Sequence, residues 1–233
     1  MLLAALVGSG IMGERLAGGN GAIALLANAL ATGSVLFAVI TAFGPISGAH
    51  FNPVVTLADA WLGGVSWRDV APYIASQTIG ACAGVMLANL MFGLPPVLIS
   101  QHVRAGASAG LSEFIATFGL LSLIWACVRA RSAYTAFVVA AYIVGAYWFT
   151  ASTSFANPAV TLARTLSDTF AGIRPADAPL FIVMQVLGAA SATVLLRWLI
   201  PMTAPGTADL TVPHENGEPG PRVSAAGNTA RGV

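Results

Sequence analysis

NPVVTLA at residues 52–58 and NPAVTLA at residues 157–163 are two copies of one stretch, 105 positions apart in the chain. They differ at one position, where Val54 in the first copy corresponds to Ala159 in the second. Repetition over this distance indicates that the chain consists of two homologous halves.

The composition is that of a membrane protein. The 233 residues are 57% hydrophobic and 8% charged, whereas about 25% of the residues in an ordinary soluble domain are charged. All ten basic residues are arginines spread along the chain, so no basic patch for nucleic acid is present. The sequence therefore predicts an integral membrane protein whose surroundings are the lipid bilayer.

Apolar runs follow one another through the first 200 residues. A span needs about 20 apolar residues, and the predicted spans are residues 1–13, 22–43, 70–92, 107–128, 134–149 and 179–200. The first is too short to cross unaided, and we expect either a start upstream of Met1 or a truncated first helix. We predict one membrane domain, residues 1–200, with halves 1–106 and 107–200, and a disordered cytoplasmic tail, residues 201–233.

A second repeated pattern, a glutamine followed three residues later by a glycine, comes after each copy of the repeat, and we call it the Gln/Gly echo. Two residues separate Gln77 from Gly80, and two residues separate Gln185 from Gly188. Three full predicted spans lie between equivalent points of the two halves, and because this number is odd the second half enters the membrane in the opposite orientation. Such an arrangement is an inverted-topology repeat.

Each Asn-Pro pair opens a short helix inside the membrane. Asparagine is a preferred N-cap and proline is favoured at the first helical position. About ten residues make a helix of about 15 Å, half the hydrocarbon thickness, so two such helices from opposite faces meet near the midplane. Residues 44–51 and 150–156, which precede them, are not expected to form a continuous helix, and irregular backbone at this depth is stable only beside water or protein. We predict that these two segments line a pore.

The predicted pore repels cations. Each helix N-terminus carries roughly half a positive charge, which raises a barrier to cations and to protons. The side-chain amides of Asn52 and Asn157 can donate to a passing oxygen and interrupt a proton-conducting chain of water. Small neutral solutes that carry hydroxyl groups remain acceptable.

Residues 47–53, SGAHFNP, the box Asn157-Pro158-Ala159 and the Gln/Gly echoes resemble the major intrinsic protein family, the aquaporins and aquaglyceroporins. The resemblance covers residues 1–200. It implies an all-α integral membrane fold with six transmembrane helices and two re-entrant half-helices, opened here by Asn52-Pro53-Val54 and Asn157-Pro158-Ala159. It also implies a passive channel in the inner membrane, a homotetramer with one pore per subunit, and neither enzyme activity nor a cofactor or metal.

The resemblance also locates the outer constriction that selects the solute. Family water channels carry an aromatic residue in helix two, a histidine in helix five and an arginine three residues after the second asparagine. The corresponding positions here, counted from the two asparagines, are Thr32, Gly145, Ser154 and Val160. Because none is an arginine or an aromatic ring, we expect a wide filter without its usual charge.

The solute class follows from that filter. The second box, extended by DTFAG at residues 168–172, is similar to the arginine-less channels of bacterial arsenic-resistance operons, which pass arsenite as neutral As(OH)3. Glycerol-like polyols and water are the other candidates. An orthodox water channel is the alternative, and a secondary transporter is less favoured because Glu113 is the only acid within the predicted spans.

Other residues receive narrower roles. The resemblance implies that Gly48, Ala49 and His50 line the pore, with a bracing role for His50 as the alternative, and that Glu113 braces the second re-entrant loop. Val54, larger than the usual alanine, either shifts the asparagine pair or is a variation in packing. Arg164 is expected to anchor the outer surface rather than to replace the missing filter arginine.

Overall fold

Eight α-helices and one short 3-10 helix make up residues 1–199, which are the residues that the computed structural model describes. They are α1 (Leu2–Leu16), α2 (Gly21–Ser47), α3 (Pro53–Leu62), α4 (Trp67–Met91), α5 (Ala107–Arg129), α6 (Thr135–Phe149), α7 (Pro158–Arg164), the 3-10 turn (Pro175–Asp177) and α8 (Ala178–Leu199). The tail predicted at residues 201–233 lies outside the described residues. The all-helical membrane architecture predicted from the sequence is confirmed.

Helix length separates the spans from the half-helices. Four helical segments are long and apolar enough to cross a membrane: Gly21–Ser47, Trp67–Met91, Ala107–Arg129 and Pro175–Leu199. The first helix and α6 have 15 residues each, which is about 22 Å at 1.5 Å per residue. Many large apolar side chains on these helices are exposed, as expected where a helix faces lipid.

The two halves pack in the same way. In the first half α1 contacts α2 and α4, and in the second half α5 contacts α6 and α8. Each half-helix lies between the last helices of both halves, since α3 and α7 each contact α4 and α8. The half-helices also contact each other, so the repeat in the sequence is a repeat in the packing.

The second helix continues further than the sequence predicts. We expected residues 44–51 to be non-helical, but α2 runs through Pro45 to Ser47 and ends at Gly48, which has the left-handed φ of 70°. Proline removes one backbone donor and crowds the carbonyl four residues before it. The loss is confined to the last turn, and the N–H of Gly48 still donates to Gly44 O at 2.9 Å. The irregular segment is therefore limited to residues 48–51.

The second half-helix is shorter than predicted. We expected about ten residues, but α7 has seven residues and ends at Arg164. The backbone carbonyls just beyond it are used by the outer loop: Leu98 N donates to Leu166 O at 3.0 Å and Ser100 N donates to Thr165 O at 2.9 Å. These bonds turn the chain out of the helix and tie the loop between α4 and α5 to the end of α7.

Gly188→Ala should destabilise the protein, because an added Cβ would lie 2.4 Å from the backbone oxygen of Phe114 on α5. Overpacking of this kind costs about 1–3 kcal/mol, so we expect a lower apparent melting temperature in detergent, measured by size-exclusion chromatography after heating. Gly80→Ala is the matched control, since Gly80 holds the same place in the first echo and an added Cβ there has no atom within 4 Å. Equal losses in both variants would contradict this role for the α5–α8 contact.

Candidate functional site

The N-termini of the two half-helices are joined by a reciprocal pair of hydrogen bonds. Asn52 Nδ2 donates to Ala156 O at 2.7 Å, and Asn157 Nδ2 donates to Phe51 O at 2.7 Å. Each asparagine thus binds the carbonyl of the residue that precedes the other asparagine. A primary amide has two N–H donors, so one donor of each asparagine remains for a solute in the pore.

The same asparagines cap their own helices. Asn52 Oδ1 accepts from Val54 N at 3.1 Å, and Asn157 Oδ1 accepts from Ala159 N at 3.0 Å and from Val160 N at 3.2 Å. Pro53 and Pro158 stand at the first helical position, where a missing N–H costs nothing. The side-chain oxygen and nitrogen of each asparagine are therefore hydrogen-bonded to different groups, and the amide cannot rotate freely.

The loops before the asparagines adopt the same unusual backbone in both halves. Ala49 and Phe51 have φ of 48° and 47°, and the equivalent Ser154 and Ala156 have φ of 49° and 50°. Left-handed conformations of residues other than glycine cost about 1–2 kcal/mol each, so the surrounding contacts must hold the loops in place.

These loop conformations leave carbonyl oxygens without protein donors. Among residues 1–199, no hydrogen bond reaches the carbonyl oxygens of residues 48–50 or of residues 153–155. Such acceptors are stable within a membrane only where a polar path runs beside them. The two loops thus supply free acceptors, and the asparagine amides beside them supply donors.

Glu113 holds the second loop. It is fully buried, its Oε1 accepts from Phe155 N at 2.9 Å and its Oε2 accepts from Ala156 N at 2.8 Å. Gln185 Nε2 donates to the same Oε2 at 2.6 Å and to Thr161 Oγ1 at 2.9 Å. The carboxylate therefore fixes two consecutive N–H groups of the strained loop and links them to α8 and α7.

The first loop is held by His50 instead. Its Nδ1 lies 3.1 Å from Thr56 Oγ1 and its Nε2 lies 3.5 Å from Asp59 Oδ2. Gln77 Nε2 donates to the same threonine hydroxyl at 2.9 Å. His50 also lines the central cavity, so the two roles that we considered for it, bracing and pore lining, are combined. Ala49 lines the cavity as well, whereas Gly48 caps α2 and is not among the lining residues.

A narrow cavity of about 60 Å³ runs past both asparagines. One wall is apolar and is made by Leu36, Ile40, Leu120, Ile124, Val139 and Ile143. Thr32, Ser154 and Val160, three of the four predicted filter positions, also line it. The structure therefore brings these three residues together beside the asparagine pair.

Gly145, the fourth predicted position, does not line the cavity. It lies on the exposed side of α6, where an added Cβ would have no atom within 4 Å. Tyr147, two residues further on, lines the cavity in its place. Two residues turn an α-helix by about 200°, so a counting error of two places the predicted residue on the opposite face. The ring of Tyr147 thus lies in the wall that we expected to lack an aromatic side chain.

Three hydroxyl groups lie at the constriction. Tyr147 OH donates to Thr32 Oγ1 at 3.4 Å. Ser154 Oγ is buried and has no hydrogen-bond partner among residues 1–199, although it lines the cavity. An unpartnered buried hydroxyl is costly unless a solute or water satisfies it, so the Ser154 hydroxyl is available to a molecule in the cavity.

Val54 packs away from the asparagine pair. It lies against α8, beside Val186, Ala189 and Ala190, whereas the equivalent Ala159 packs beside Gly80 and Ala81 of α4. The small residues of α8 accommodate the larger side chain. The two reciprocal asparagine bonds have equal lengths of 2.7 Å.

Arg164 is not a surface anchor, which corrects the expectation from the sequence. Its side chain is 1% exposed, its guanidinium carbon lies 3.4 Å from the centre of the Phe155 ring, and its Nε donates to Ala171 O. Ala171 belongs to the DTFAG stretch, which folds back over α7. The sequence around Arg164 does not predict its burial, because the contact depends on the later stretch that receives the side chain.

Arg104, from the loop before α5, reaches the same ring. Its guanidinium carbon lies 5.2 Å from the centre of Phe155, and it donates to Gly172 O at 2.7 Å, Phe170 O at 3.1 Å and Ser152 O at 3.4 Å. Burial lowers the pKa of Arg104 to about 10, so the side chain keeps its charge at neutral pH. Nothing in the sequence around Arg104 marked it as part of the site.

Sequence similarity to known proteins covers most of the chain. The family described as Major intrinsic protein matches residues 1–154 and 130–218. Aquaglyceroporin AqpS of Rhizobium meliloti (strain 1021) is 50% identical over 205 residues, 88% of each chain. Probable aquaporin AqpM of Archaeoglobus fulgidus is 32% identical over 176 residues, 70% of this chain and 71% of the relative. Aquaporin NIP1-4 of Oryza sativa subsp. japonica is 37% identical over 109 residues, 46% of this chain and 40% of the relative.

Glu113→Gln should weaken the second loop, because a glutamine amide presents an N–H group to one of two backbone N–H groups that need an acceptor. Hydrogen bonds to a charged group contribute about 1.5–3 kcal/mol each, so we expect a lower melting temperature and reduced solute flux in proteoliposomes. Glu14→Gln, at an exposed position on α1, is the control and should change neither quantity. Wild-type stability and flux in Glu113→Gln would show that the carboxylate does not hold the loop.

Proposed function

Because the chain belongs to the major intrinsic protein family, it is a passive multi-pass channel of the inner membrane for small neutral solutes, not an enzyme, and we propose that it conducts glycerol-like polyols and trivalent arsenic hydroxide, As(OH)3. The single observation that carries the proposal is the pair Val160 and Ser154 at the constriction. Val160 stands where family water channels carry the filter arginine, and the Ser154 hydroxyl is unpartnered.

The shape of the wall supports a polyol. A polyol carries both carbon-bound hydrogens and hydroxyl groups, and the cavity is lined both by aliphatic side chains and by hydroxyl and amide groups. Orientation-fixing polar groups in a mostly apolar site are the usual basis of specificity for small ligands. As(OH)3 is also neutral and carries three hydroxyl groups, so the same donors and acceptors suit it. The relative AqpS is named an aquaglyceroporin.

One observation favours the alternative, an orthodox water channel. Tyr147 places an aromatic ring in the wall and the cavity is narrow, about 60 Å³, which suits water better than a polyol. A secondary transporter has less support, because the carboxylate of Glu113 is fully engaged with backbone N–H groups and Gln185. Flux measurements with several solutes separate these alternatives.

We further propose that four copies assemble into a homotetramer with one pore in each subunit, as the family resemblance implies. Chemical cross-linking of the detergent-solubilised protein tests this: a ladder that stops at four supports it, and a monomer alone contradicts it.

The link to arsenic resistance is tested by the gene's neighbours. An adjacent arsenate reductase gene or arsenic-responsive repressor gene would favour As(OH)3 over polyols as the physiological solute.

Proteoliposomes that contain the protein should accelerate the entry of glycerol, urea or arsenite above the rate of empty vesicles, measured by light scattering or by arsenic uptake. The rates should not change when a proton or sodium gradient is imposed, because the flux is passive. Acceleration of water alone would establish the water-channel alternative, and dependence on an ion gradient would establish a transporter.

Val160→Arg should narrow and charge the constriction, so that glycerol and arsenite fluxes fall more than water flux does. Val160→Met, which adds bulk without charge, is the matched control and separates the two effects. Equal losses for water and for the larger solutes in Val160→Arg would show that Val160 does not lie at the selective constriction.

A further inference from the structure

Two positive charges stand behind the wall of the pore at the second loop. Phe155 lines the cavity, and on the same ring the guanidinium carbons of Arg164 and Arg104 lie at 3.4 Å and 5.2 Å from the ring centre. Neither arginine is among the residues that line the cavity. The ring of Phe155 therefore separates each guanidinium group from the path of the solute.

The position of Arg164 is occupied by a charged residue in both halves of the inverted repeat. Counted from its asparagine, Phe155 corresponds to His50 and Arg164 corresponds to Asp59. In the first half these two positions are in contact through His50 Nε2 and Asp59 Oδ2 at 3.5 Å, and in the second half through the ring and the guanidinium. The two halves thus place groups of opposite charge at equivalent depths behind the two loops.

The hydrogen-bond partners of both arginines are uncharged. Arg104 binds backbone carbonyls and the hydroxyl of Thr153, and Arg164 binds the carbonyl of Ala171. Arg164 Nη1 has no partner among residues 1–199. In the same part of the chain no carboxylate oxygen lies within 4.0 Å of either guanidinium. Neutral acceptors hold the side chains in place without cancelling their field.

The neighbouring acids are engaged elsewhere. Glu113 directs its oxygens to the N–H groups of Phe155 and Ala156, Asp177 accepts from the backbone N–H of Arg104 and from Arg174, and Asp168 accepts from Gln101 N. Two guanidinium groups against the one carboxylate behind this loop leave a net positive charge there. Burial strengthens its effect in the pore, because buried charges are screened less by salt and by water.

We propose that Arg164 and Arg104 determine specificity by repelling cations from the constriction through the wall, in place of a charged side chain inside it. The proposal deepens the proposed function, since it explains how a constriction lined by Val160 and Ser154 stays closed to cations. The wall residues set the size of the solute, and the two arginines behind Phe155 set its charge.

Arg164→Met and Arg164→Lys test this. The methionine variant keeps most of the bulk and loses the charge, while the lysine variant keeps the charge and loses the planar fork. For a charge about 10 Å from the path at an effective dielectric constant of about 20, Coulomb's law corresponds to roughly a tenfold change in the passage of a monovalent cation. We expect rubidium tracer uptake and proton leak to rise about tenfold in Arg164→Met and to stay near wild type in Arg164→Lys.

Glycerol flux is measured in the same vesicles, and the rubidium and proton rates are divided by it to correct for the amount of folded protein. Arg68→Met, at an exposed arginine in the first turn of α4, is the matched control and should leave both fluxes unchanged. If Arg164→Met does not insert, the pair Arg104→Met and Arg104→Lys gives the same comparison from the loop. Cation leak that rises equally in the methionine and lysine variants, or in neither, overturns the proposal. Absence of neutral-solute flux in the wild type overturns the proposed function instead, and the rubidium comparison still decides the role of the charge.

Discussion

The reciprocal bonds between Asn52 and Asn157 are the interaction on which the structure depends. Each amide caps one half-helix with its oxygen and binds the other half's loop with its nitrogen, so neither half completes its own loop. Two helix N-termini that face each other repel, since both carry partial positive charge, and the cross-bonds hold them together. The remaining N–H of each amide then has nowhere to donate except the pore. Structure and binding site are made by the same two side chains.

Membrane burial explains why so many polar groups converge on the loops. A backbone group without a partner is costly in hydrocarbon, and the left-handed residues of each loop add strain. The second half meets this cost with a carboxylate on α5, Glu113, whereas the first uses an imidazole of the loop itself, His50, which contacts the half-helix. Both solutions hold the loop from behind and leave its free carbonyls on the side of the solute. The two halves therefore hold equivalent loops from different elements and with different chemistry.

Periodic and repeated features of the sequence predicted most of the fold, and side-chain geometry explains what it missed. The duplicated Asn-Pro stretch predicted two half-helices that meet, because N-capping is a local property. The end of α2 was misplaced since proline in a last turn costs one bond only, which composition does not reveal. Gly145 was chosen instead of Tyr147 because a two-residue offset reverses the face of a helix. The burial of Arg164 depends on a carbonyl in a later loop, Ala171, and no local pattern encodes such a contact.

Separating charge from size changes what the constriction can admit. An arginine inside a filter narrows the path and charges it at once, so a wider solute can be accepted only by weakening the barrier to cations. Here the wall at the second loop is made by Val160, Ser154 and Tyr147, while the guanidinium groups stand behind Phe155. The bulk of the wall can therefore vary without altering the charge. Because the field acts on ions and hardly on neutral molecules, such a constriction discriminates by charge even where its opening is permissive in size.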